Sequence, residues 1–66
     1  RNWQPPVDGV QLMTWFNLRP GKEIGTIKAL IREAVINGEI SNTFEAARKL
    51  AYVYARENGI IETKDD

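Results

Sequence analysis

The chain contains neither cysteine nor histidine. Without cysteine it has no disulfide staple, no thiol nucleophile and no thiolate metal ligand, and such small domains fit a reducing compartment, here expected to be the cytoplasm. Without histidine it lacks the commonest general base near neutral pH and the commonest zinc ligand. No run of about 18 apolar residues occurs, so no segment reads as a membrane-spanning helix. Net charge is absent too, with nine Lys plus Arg against nine Asp plus Glu, which argues against a free-standing, strongly basic nucleic-acid binder. The sequence holds no Asp-x-Asp pair and no glycine-rich phosphate loop with its lysine. Glu23, Glu33, Glu45 and Glu57 are dispersed among cations rather than paired in an apolar setting. The expectation for this piece of chain is therefore no catalytic residues, no metal site and no bound cofactor.

What is present is helical patterning. Sixty-six residues allow one small domain with a modest core. Residues 1–7, with Pro5 and Pro6, read as an extended lead-in that lays Trp3 along a helix. Asp8 is a good N-cap for a short helix over Gly9–Phe16, with Val10, Leu12, Met13 and Phe16 assigned to its apolar side and Trp15 to the margin. Pro20 and Gly21 open a second helix, Pro20 in its first turn, that runs to Asn37 and stops at Gly38. Its apolar stripe, Ile24, Ile27, Leu30, Ile31, Ala34 and Val35, spans about 140° of the helix wheel. Ile40 should tuck under the helices. Asn42 and Glu45 match a capping box for a third helix over Thr43–Asn58, with Gly59 beyond its end and Ile60 placed for a closing apolar contact. Phe44, Ala47, Leu50, Ala51, Tyr54 and Ala55 form its core side, the alanines permitting close approach. Residues 62–66 read as a disordered acidic tail. The fold expected is all-α, a small three-helix bundle in a single domain, and the opening Arg-Asn-Trp-Gln-Pro-Pro resembles the cut edge of a longer protein.

The charge is unevenly spread. Residues 19–37 carry a net +2 and residues 42–58 a net +1, offset by Glu39 and the tail. Three features of this surface have a functional and a structural reading. Gly25, inside a helix at a cost of about 1 kcal/mol, lies on the wheel roughly 150° from the core stripe. Either it leaves a bare patch for a phosphate near the helix N-terminus, with Gly21 and the cations Arg19 and Lys22 beside it, or it allows close contact with the first helix or another domain. Ile36 on the same side favours some packing. Lys28 and Arg32 are like charges at i,i+4, mildly unfavourable unless an anion compensates, or simply a solvated face. Arg48, Tyr52 and Arg56 form an i,i+4 ladder with Lys49 beside it, Tyr52 pointing with the cations. That ladder can stack on bases and pair phosphates, or be a cation–π surface with Glu45 as counter-charge.

The ordered set Asp8-Gly9, Leu12-Met13, Leu18, Pro20-Gly21, Ile24-Gly25, Glu33-Ala34-Val35, Gly38-Glu39-Ile40 and Asn42 resembles the C-terminal part of bacterial tRNA nucleotidyltransferases, the CCA-adding enzymes, and their poly(A) polymerase relatives. The likeness is to versions whose full chain also carries an HD phosphohydrolase-type domain, and it covers residues 5–47. It implies a C-terminal body or tail fragment whose catalytic head, using Mg²⁺ with CTP and ATP, lies elsewhere in the parent. The implied partners are the tRNA acceptor and T arms, held by their sugar-phosphate backbone, and the upstream catalytic and body domains. Pro20, Gly21, Lys22 and Gly25 match the family motif, whereas Arg48, Tyr52 and Arg56 lie beyond its firm part. Two alternatives stand beside this reading. One is a protein-interaction or homodimerisation module centred on Gly25 and Ile36. The other is a helix-hairpin-helix DNA binder, which the Pro-Gly-x-x-Ile-Gly run resembles despite its inserted residues.

Overall fold

A computed structural model describes residues 4–61, within which the chain forms three α-helices: α1 (Gly9–Phe16), α2 (Lys22–Ile36) and α3 (Phe44–Glu57). Among the described residues there is no strand, and the all-α, three-helix architecture is the one the periodicity predicts. Trp3 and the tail over 62–66 lie outside the described residues.

The start of α1 is fixed twice over. Asp8 Oδ1 accepts the Gln11 N–H at 2.9 Å, and the Asp8 N–H donates to Gln11 Oε1 at 2.9 Å, a reciprocal capping box. Val7 and Leu12 stand at the two staple positions around this cap, and both are fully buried. The lead-in is therefore not a simple extended segment up to its end. It bends at Pro6–Val7 and drops Val7 into the core. Val10 is a correction: it is 65% exposed, because it sits about 160° round the helix from Leu12 rather than beside it. Asn17 closes α1 in the left-handed region (φ 55, ψ 46), its N–H donating to the Met13 carbonyl.

Pro20 stands before α2, not in its first turn. Gly21 is the N-cap with φ 158 and ψ −154, a non-helical conformation that ends the loop and lets the helix begin at Lys22. The far ends of α2 and α3 share one device. Glu39 N–H donates to the Ala34 carbonyl at 2.8 Å and Gly38 N–H to that of Val35 at 3.1 Å; Ile60 and Gly59 repeat the pattern on Ala55 and Arg56 at 2.8 and 3.3 Å. Both are Schellman closures, and Gly38 (φ 75) and Gly59 (φ 73) supply the left-handed residue each requires. Ile60, half-buried, packs against the core as expected, and the Asn58 side-chain amide adds a bond to the Tyr54 carbonyl. The N-cap of α3 is Thr43 rather than Asn42. Its Oγ1 accepts the Ala46 N–H at 3.2 Å, and Glu45, one place too early for the third helical position, closes no box.

Among the described residues the core is made of ten buried side chains, all apolar: Val7, Leu12 and Phe16 from the lead-in and α1, Ile24, Ile27, Ile31 and Ala34 from α2, and Ala47, Ala51 and Ala55 from α3. Val35, Leu50 and Tyr54 flank it, half-buried, and Leu30, expected in the stripe, is only half-buried. The α3 seam is thus three alanines one turn apart, and the bulk that fills the interface comes from the α2 isoleucines. Phe44, expected in the core, is 44% exposed. Its angle round α3 is right, but it is the first residue of the helix and lies beyond the reach of this seam.

Substitutions at the two sides of this seam should fail in opposite ways. Ile27→Ala leaves a cavity and is expected to cost roughly 2–5 kcal/mol, enough to unfold much of a domain of this size. Ala51→Leu overfills the seam and should cost about 1–3 kcal/mol. Urea unfolding followed by far-UV circular dichroism reads both, and an Ala51→Leu chain as stable as wild type would mean that α2 and α3 are not in close contact.

Candidate nucleic-acid interface

Arg19 and the α2 cations reach the surface because the apolar stripe uses only one side of the helix. Arg19, Gly21, Lys22, Gly25, Lys28 and Arg32 are all exposed. A Cβ placed on Gly25 would meet nothing within 4 Å, so this glycine makes no close contact with α1 or any other described part of the chain. The close approach between α1 and α2 occurs instead at Gly9, where a Cβ would lie 3.3 Å from Ile24 Cγ2 and 3.9 Å from Lys28 Cδ. The Lys28 stem therefore passes along the start of α1, and its ammonium reaches solvent beyond it. Gly21 gives α2 no side-chain cap, in contrast to Asp8 and Thr43 on the other two helices. The Gly21–Gly25 run is not a hairpin between helices, since Lys22 to Gly25 already belong to α2.

The α3 residues form a second group. Phe44, Glu45, Arg48, Lys49, Tyr52 and Arg56 line a shallow groove of about 530 Å³. All six belong to α3, and α1 supports two of them from behind. Trp15 packs edge-on against Phe44 (5.7 Å between centroids) and Phe16, and Phe16 packs edge-on against Tyr52 at 4.9 Å. Tyr52 therefore does not simply point outward with the cations: it is half-buried and packs against the core from the flank. The guanidinium of Arg48 lies 4.8 Å from the Tyr52 ring centroid and 5.4 Å from that of Trp15. The cation–π surface and the ladder are thus the same object, but Glu45 is not its counter-charge.

Among the described residues the only ion pair is Arg32–Glu33 at 3.9 Å, between side chains about 60% exposed, a geometry worth at most about 1 kcal/mol. The remaining cations, Arg19, Lys22, Lys28, Arg48, Lys49 and Arg56, have no carboxylate of the described residues within that reach. No group of three or more His, Cys, Asp or Glu side chains is placed to hold a metal ion among the described residues. No helix among them is long and apolar enough to cross a membrane. What the surface offers is charge-assisted donation to an anion, in two places. Sequence reasoning assigned the α3 cations correctly to one side but missed Phe44 as an aromatic wall beside them, with Trp15 packed against it. The available signal was the position of Phe44 at the start of its helix, where burial runs out.

Two substitutions separate the local roles. Gly25→Ala should raise stability by about 1 kcal/mol, since helix propensity improves and nothing is displaced; a loss in urea unfolding would reveal an intrachain contact at this face. Arg48→Ala should lower stability by roughly 0.5–1 kcal/mol through the lost ring contacts, whereas Arg56→Ala should leave the urea midpoint unchanged. Comparison of the chain with known protein families, curated proteins and solved structures returns no match.

Proposed function

We propose that this chain is a non-catalytic RNA-binding module that contacts the sugar-phosphate backbone, the C-terminal body or tail region of a cytoplasmic tRNA nucleotidyltransferase. The observation that carries the reading is the outer face of α2: Gly25 open to solvent, with Lys22, Lys28 and Arg32 exposed around it. Backbone recognition needs cations and free amide donors at a surface a polyanion can reach, with no apolar pocket for a base. An uncapped helix start beside Arg19 and Lys22 adds to that supply. The family assignment rests on the sequence resemblance alone, as do the upstream catalytic domains and the CTP, ATP and Mg²⁺ they would use.

One observation favours a second reading. Ile36 is 60% exposed on the same side as Gly25, a large apolar side chain that a protein partner or a second copy of the chain would cover. An oligomer formed this way keeps its mass as salt is raised, whereas phosphate contacts weaken steeply with salt.

Titration of the chain with a tRNA acceptor-stem minihelix, followed by amide chemical shifts, tests the proposal. Shifts should cluster over Lys22–Arg32 and Arg48–Arg56. If four phosphates are neutralised, affinity should fall on the order of 10²-fold between 50 and 200 mM salt. No shift on either surface at low salt, or a salt-insensitive affinity, removes backbone binding from consideration. A concentration-dependent, salt-insensitive mass would favour the second reading.

A further inference from the structure

The α3 groove contains more than backbone binding uses. Phosphate contacts need cations, and Lys49 and Arg56 supply them at its wall, with Glu45 the only carboxylate lining it among the described residues. They do not need an aromatic side chain left in solvent, yet Phe44 is 44% exposed and braced edge-on by Trp15. They do not need a guanidinium held against two rings either, as Arg48 is held against Tyr52 and Trp15. A planar cation stacked on one face keeps its other face available for a second flat group. The combination of an exposed ring, a guanidinium placed beside two rings and two further cations at the groove fits a ligand that is flat and aromatic at one end and anionic at the other.

We infer that this groove takes one unpaired nucleobase of an RNA strand, stacked between Phe44 and Arg48, with the adjoining phosphate paired to Lys49 or Arg56. This rests on the RNA-binding reading and deepens it, since paired bases in an A-form stem keep their faces inside the stack and only unpaired ones can enter such a groove. A volume of about 530 Å³ falls in the range of sites for groups of this size. An acidic peptide would use the cations but leave the Phe44 ring idle. A phosphotyrosine would satisfy both features, but it gives no role to the second, separate set of exposed cations on α2, which a polymer of phosphates does.

Three labelled RNA hairpins with one common stem test this by fluorescence anisotropy: a blunt one, one with an unpaired adenosine tail, and one whose tail carries sugar and phosphate without bases. The adenosine tail should bind on the order of tenfold more tightly than the abasic tail. Phe44→Ala, and Phe44→Leu in case the smaller side chain impairs folding, should abolish that difference and leave blunt-hairpin binding unchanged. Lys28→Ala with Arg32→Ala should weaken all three RNAs alike. Equal affinity for the adenosine and abasic tails, or a difference that survives both Phe44 variants, overturns the base-stacking assignment and leaves backbone binding standing. Failure of every hairpin to bind removes both. Phe44-dependent binding of a tyrosine-phosphorylated peptide in preference to the adenosine tail would assign the groove to a protein ligand and overturn it as well.

Discussion

Contact between the isoleucine stripe of α2 and the alanine seam of α3 is the constraint on which the rest of the molecule depends. With ten buried side chains among the described residues, four of them alanines, the domain has little apolar area to spend. Close approach is the way a small core of this kind excludes water, and alanine at three successive turns makes it possible. Once α2 has committed Ile24, Ile27 and Ile31 inward, its helical period sends Lys22, Gly25 and Arg32 outward. The exposed basic face follows from the core geometry and requires no further device to hold it open.

The short helix α1 closes the bundle and shapes the second surface. At its start, the Asp8–Gln11 box and the Val7–Leu12 staple pin it where Gly9 lets it lie against Ile24 and the Lys28 stem. At its end, Trp15 and Phe16 meet Tyr52, Phe44 and Arg48 across the flank of α3. A helix of eight residues has marginal stability alone, so these two anchors define its direction. The aromatic walls of the α3 groove are consequently coupled to folding: Tyr52, against Trp15 and Phe16, serves packing and surface at once, while Phe44, at the rim, is the member that packing uses least.

Local chemistry was the legible part of the sequence. Gly38 and Gly59 announce helix ends because a left-handed residue is required there and glycine takes it without strain. Asp8 and the isoleucine spacing were equally readable. The Asn42–Thr43 pair was ambiguous because both side chains cap well and stand one residue apart. Val7 escaped because a staple is visible only once the capping box with Gln11 is recognised. Tyr52 was misplaced for a different reason. A helix wheel reports direction about one axis, and it has no knowledge that α1 crosses that flank. Gly25 was correctly set on the side away from the core, but the glycine needed for helix contact was Gly9, which a wheel centred on α2 does not include.

Zero net charge does not weigh against anion binding in a molecule arranged this way. What a polyanion meets is the set of cations at the surface and the partners they already have. Of the carboxylates in residues 4–61, Asp8 is engaged by the Gln11 amide and Glu33 by Arg32, and the groove of α3 sets three cations against Glu45 alone. Six exposed cations are left without an intramolecular carboxylate within reach among the described residues. Their separation into two groups, one on α2 and one on α3, gives a modest field of the same sign in two places instead of one intense patch. Such a field fits an extended phosphate chain touched at several points better than a single compact anion, because each exposed contact is weak and only their number makes binding effective.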